Sequence, residues 1–105
     1  MAIVLHRLRT GLIYSQAFAE YLESKHNIEH IGHLGDVLHL DYVRCGQGEL
    51  IGQSWWQLTW ISGWQAPTEH RHQIGDTEVY IHRQAIRGLK NRLLHYDGQN
   101  VVVKR

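Results

Sequence analysis

Residues 54–64 read SWWQLTWISGW, and the fold turns on whether this run is a helix or a strand. Trp56, Trp60 and Trp64 are four apart, the spacing of a helical stripe. They are also all even-numbered, together with Leu58 and Ser62, which is the spacing of one face of a strand. Thr59 and Ile61 are β-branched, tryptophan is enriched in sheets, and glycines flank the run, so the segment from Glu49 to Ser62 reads as a strand. Adjacent side chains on a strand point to opposite faces. Trp55 and Trp56 therefore diverge, and at least one of them is expected at a surface or an interface.

Working outward, Val37–Val43 alternates, with Leu38, Leu40 and Tyr42 on one face and Val37, His39 and Asp41 on the other, and reads as a second strand. Cys45-Gly46-Gln47-Gly48 reads as the turn between the two. Upstream, residues 2–8 read as a strand. From Ile13 to Lys25 the apolar residues Ile13, Ala17, Phe18, Tyr21 and Leu22 fall at helical spacing, with Ser15 as a candidate cap. Asn27–Ile31 reads as a short strand. Downstream, Gly63–Thr77 holds the only proline and reads as a long loop, and Glu78–His82 as a strand. Arg83–Leu94 has rough helical spacing, interrupted by Gly88, and a turn at Tyr96–Gln99 precedes a last strand at Asn100–Lys104. The order β-α-β-β-β-β-α-β implies an α+β fold over residues 1–105. It is one small domain with a mostly antiparallel sheet or a partly open barrel and one or two helices. Residues 1–45 supply the strand-helix-strand-strand part, and residues 46–105 the tryptophan-rich strands and a basic C-terminal part.

A chain of 105 residues with 43% hydrophobic and 20% charged residues can bury a core without staples. Net charge is only +1, yet its distribution is uneven. Residues 1–50 hold four Arg/Lys against six Asp/Glu, whereas residues 80–105 hold six Arg/Lys against Asp97 alone. Such asymmetry prepares one face for an anion, unless the cluster is only a solvated helix face. Cys45 is the single cysteine, so no internal disulfide forms. His6, Arg7 and Arg9 interrupt the apolar N-terminus. A signal peptide or membrane span is therefore not expected, and the expected location is the cytoplasm of a cell or of an infected host.

Nine histidines raise the question of a metal. His26, His30 and His33 would converge on one face of a helix, but Gly32, Ile28 and Ile31 favour extended chain. There, His26 and His30 lie roughly 13 Å apart, too far to share one ion. No bound metal or other cofactor is expected. His70-Arg71-His72 is similar to the metal-holding strand of rolling-circle nucleases, with a charged residue in place of the hydrophobe and no tyrosine on a following helix. Cys45 beside a histidine could be drawn as a nucleophile pair, although nothing in the sequence brings them together, and a buried structural cysteine accounts for it.

Aromatic and basic residues form the stronger constellation. Bases stack on aromatic rings irrespective of sequence while Arg and Lys follow the phosphates. Trp56, Trp60 and Trp64 beside Tyr80 and His82, with Arg83, Arg87, Lys90 and Arg92 following, supply those parts. The plain alternative is that the tryptophans fill the core. The stretch EVYIHRQAI (78–86) also resembles the aromatic strand of cold-shock domains, acidic-Val-Phe-Val-His followed after two residues by Ala-Ile. GLK (88–90) and DGQNVVV (97–103) are similar to that family's Gly-Phe-Lys and Glu-Gly-Gln stretches. Gly52 to Trp56 is similar to its first strand, and Gly63-Trp64 to its Gly-Phe motif, one residue late. Where the family has Lys-Gly-Phe-Gly-Phe-Ile, the chain has Ser62-Gly63-Trp64-Gln65-Ala66-Pro67, and a fifth strand would come from residues 1–45. The resemblance implies an oligonucleotide-binding barrel with Trp56, Trp64, Tyr80 and His82 as stacking residues.

The expectation is a small non-enzymatic protein that binds RNA or single-stranded DNA through these nine residues. The alternative is a protein-interaction module (an inhibitor, adaptor or dimer subunit) with the tryptophans as its hot spot. A histidine-dependent metalloenzyme ranks third. Partners are therefore nucleic acid, a protein or a second copy, with no membrane.

Overall fold

The structure, a computed structural model, describes residues 4–44 and 54–104, with only the backbone of Arg44 and Ser54. The expected turn at Cys45–Gly48 lies outside the described residues. Within them, eight strands and two helices follow in the order β1 (Leu5–Arg7), β2 (Ile13–Ser15), α1 (Gln16–Glu29), β3 (Asp36–Arg44), β4 (Ser54–Ser62), β5 (Arg71–Ile74), β6 (Thr77–Ile81), α2 (Arg83–Gly88), β7 (Leu93–Tyr96) and β8 (Val101–Lys104). They build two four-stranded sheets of order β1-β2-β7-β8 and β4-β3-β6-β5. Each sheet is mixed. The β2–β7 and β3–β6 pairs are parallel and the others antiparallel. The α+β class is as expected, and the sheets do not close into a barrel.

The ambiguous run is a strand. β4 pairs with β3 over its full length, setting Leu38 opposite Trp60, Leu40 opposite Leu58 and Tyr42 opposite Trp56. That face turns inward. Leu38 and Leu40 are buried with Phe18, Ala19 and Leu22 of α1, Val79 and Ile81 of β6, and Leu94 of β7, and Trp56, Leu58 and Trp60 pack against this cluster. Each such aliphatic side chain contributes roughly 1.5–3 kcal/mol on burial.

Ser15 starts α1. Its Oγ accepts from the Phe18 N–H at 3.2 Å and shares a 2.7 Å hydrogen bond with His95 Nδ1, satisfying an amide the first turn leaves open. Helix therefore begins three residues later than the apolar spacing indicates, and Ile13–Ser15 instead runs parallel to β7. At the other end the expected strand Asn27–Ile31 is helical: α1 continues to Glu29 and tightens into a 3-10 turn at His30–His33. Ile28 and Ile31 are exposed there, so their β-propensity has no sheet to act through.

The expected loop 63–77 contains β5, which reaches β6 through a two-residue turn with Gly75 at φ +61°. An L side chain adopts that angle rarely, and the Gly75 N–H donates to the Tyr14 hydroxyl at 3.2 Å. Before β5, residues 63–70 cross the outer face of the second sheet. Ala66 is buried there with Val37 and Tyr80 beside Ile61. Arg71 fastens the crossing, its Nε donating to the Ala66 carbonyl at 2.7 Å, Nη2 to the Gly63 carbonyl at 2.8 Å, and Nη1 to Glu78 at 3.2 Å. The expected helix Arg83–Leu94 stops at Gly88, because Asn91 takes φ 62° and hands the chain to β7.

Candidate nucleic-acid interface

At the end of the second sheet, the β3–β4 pairing sets Tyr42 and Trp56 side by side, ring centroids 5.0 Å apart at 52°. The short helix α2 faces them. Gln84, Ala85 and Gly88 line, with Arg92, a groove of about 230 Å³ whose remaining wall is the Tyr42–Trp56 pair. A second depression of about 270 Å³ continues it past Asp41 to His82. Spacing explains the composition: residues 84, 85 and 88 share one side of α2, while Ala85 and Ile86 also pack against the core. His82 caps the helix, its Nδ1 accepting from the Gln84 N–H at 3.1 Å.

Arg83, Arg87, Lys90 and Arg92 are all exposed along α2 and the turn after it. The fold adds two cations the linear sequence did not offer. The β1–β2 turn lies against residues 90–91, since the Asn91 N–H donates to the Gly11 carbonyl at 2.9 Å and Arg7 Nη1 donates to Asn91 Oδ1 at 3.3 Å. Arg7 and Arg9 therefore extend the basic surface. Among the described residues no carboxylate pairs with any of these six side chains.

The nine expected residues fall in three places. Trp56, His82 and Arg92 line the groove and the depression beside it, with Arg83, Arg87 and Lys90 exposed on α2 and the turn after it. Trp60 and Tyr80 lie in packing. Trp60 sits between β4 and α1, its Nε1–H donating to Glu29 Oε1 at 3.0 Å and its ring stacked on His33 at 4.6 Å. Tyr80 is buried beneath the 63–70 crossing. Trp64 stands exposed at the far end of β4. Sequence reasoning passed over Tyr42, Gln84, Arg7 and Arg9. Only Tyr42 carried a signal, its place in the same alternation as Leu38 and Leu40.

His26 and His30 do share a helical surface, with rings stacked at 5.3 Å, contrary to the extended chain expected. His33 Nδ1 meets Asp36 Oδ2 at 3.1 Å. Among the described residues no three His, Cys, Asp or Glu side chains are placed to hold one ion. The Glu29 carboxyl is held below its usual range by hydrogen bonds from Lys25 and Trp60.

His72 has a buried Nε2 with no hydrogen-bond partner among the described residues, and burial, with His70 nearby, holds its pKa below 6.5. Burial lowers His39 similarly, against the pull of Asp41. An unfolded chain therefore binds protons that the folded one refuses. The stability these two histidines confer is full above pH 6.5 and is lost as the pH drops from there through the folded value. His72→Leu should flatten this loss, as urea titrations at a series of pH values between about 7 and 5 would show.

Among the described residues no helix is long and apolar enough to cross a membrane. The EVYIHRQAI stretch is β6 and α2, and β6 runs between parallel β3 and antiparallel β5 rather than in a barrel. No protein-family model, curated protein or solved structure matches this chain, and nothing in those comparisons supports a cold-shock assignment.

Proposed function

We propose that the protein binds single-stranded nucleic acid, RNA or DNA, with an unstacked base against the Tyr42–Trp56 pair and the backbone along Arg92, Lys90, Arg87 and Arg83. The observation that carries this reading is the groove in which an aromatic pair and a guanidinium share the wall. Stacking on a ring is sequence-tolerant and worth roughly 1–3 kcal/mol per base. Cations with no carboxylate partner among the described residues can exchange their counterions for phosphates. A duplex keeps its bases stacked and cannot present one to such a groove, so single strands are preferred.

Intrinsic fluorescence tests it. Short single-stranded oligonucleotides should quench the tryptophan emission, and duplexes should quench it less. Tyr42→Ala should weaken binding by roughly 5- to 150-fold and leave the dependence of log affinity on log salt unchanged, because stacking releases no ions. Arg87→Gln should weaken all sequences alike and flatten that slope by about 0.7. If single strands neither quench nor shift with salt, the proposal falls.

A further inference from the structure

At the opposite end of β3 from the groove, four large apolar side chains stand in solvent: Ile28 and Ile31, each 75% exposed, Leu34 at 81% and Trp64 at 84%. Ile28 stands in the last turn of α1, Ile31 in the 3-10 turn and Leu34 at its extended C-cap, and the three-residue spacing keeps the exposed side chains along one side of this run. They form one ridge. Trp64 is brought to it by the backbone: the Gly63 N–H donates to the Gly35 carbonyl at 2.9 Å. That approach is so close that a Cβ at residue 63 would lie 2.7 Å from the same oxygen. Only glycine permits it, and the tryptophan follows immediately.

The surroundings are close to neutral. Lys25 is paired with Glu29 at 2.9 Å and His33 meets Asp36 at 3.1 Å. Among the described residues no cationic rim surrounds the ridge to draw it to an anionic lipid surface, and no excess of one sign selects a partner of the other. A net charge of +1 leaves little long-range repulsion between two copies. The four side chains offer roughly 500 Å² of apolar surface per copy, near the upper bound for a monomer's largest patch. Complete burial of both patches would remove about 1,000 Å² from water, the threshold for a specific interface. We infer that the chain forms a two-fold dimer through the Ile28–Ile31–Leu34 ridge and Trp64. Self-complementarity is what a two-fold axis demands of a single patch, and an area at the threshold makes the dimer concentration-dependent.

Sedimentation equilibrium between about 1 and about 200 µM reads this directly. The mean mass should rise from 12.3 kDa toward twice that value, and salt should not weaken the association. Trp64→Asp should remain at the monomer mass throughout with an unchanged circular dichroism spectrum. Leu34→Asp, at an equally exposed position, gives the same reading should the first variant lose its fold. A monomer at every concentration overturns the inference. So does a dimer that survives both substitutions, which would place the contact elsewhere, and so does a monomer that instead floats with phosphatidylcholine vesicles.

Discussion

Trp60→Ala is expected to lower unfolding stability by about 3 kcal/mol, the low end of the range for emptying an aromatic core site. The low end applies because the indole is only partly buried. In a domain of this size the change corresponds to a fall of roughly 15 °C in Tm. The indole packs against the main core across from Leu38, accepts the stacked His33 ring and satisfies Glu29 through its N–H. Truncation removes all three. Trp60→Phe keeps a ring for His33 and loses the hydrogen bond, so about 1 kcal/mol separates it from the native protein. Trp64→Ala, at an 84% exposed position, should move Tm by no more than a degree or two. Thermal melts of the three variants side by side would divide tryptophan used for packing from tryptophan left for contact.

Arg71→Met should cost about 2–3 kcal/mol, because it keeps the apolar stem and deletes every charged hydrogen bond that fastens the crossing. The carbonyls of Gly63 and Ala66 lose their donor, and Glu78 loses its partner. Arg71→Lys should recover only part of this, since an ammonium cannot reach three acceptors from one fixed fork. Denaturant midpoints measure the cost, and limited proteolysis locates it. Cleavage within 63–70 should accelerate well before cleavage elsewhere, because beyond the Gly63–Gly35 hydrogen bond the crossing is held mainly by this side chain and by Ala66.

The alternation in β3 and β4 was legible because both strands are long and paired along their full length. Which face turned inward was not. Period two assigns Trp56 and Trp60 to one side and Trp55 to the other, and only the position of α1 decides that the pair is internal. Short elements were hidden for a related reason. β5 and β7 have four residues each and are defined by their partners, β6 in one case and β2 with β8 in the other. Leu89 and Leu93 continue a helical spacing by coincidence, and the left-handed Asn91 that interrupts it has no periodic signature. In the candidate interface, the run of cations from Arg83 to Arg92 could be read directly. Tyr42 and Arg7 could not be joined to it without knowing that β3 ends beside α2 and that the β1–β2 turn rests on Asn91.

The parallel pairing of β2 with β7 joins Ile13 to Leu93 and Tyr14 to Leu94. On the ribosome β2 emerges roughly 80 residues ahead of β7 and has no such neighbour until β7 follows. At roughly 5–20 residues per second, that wait lasts several seconds. Closing so large a loop is entropically slow. The first sheet is therefore completed late: β1 and β2 can pair at once, but the far side of β2 stands as an unpaired edge, open to pairing with other chains, until β7 arrives.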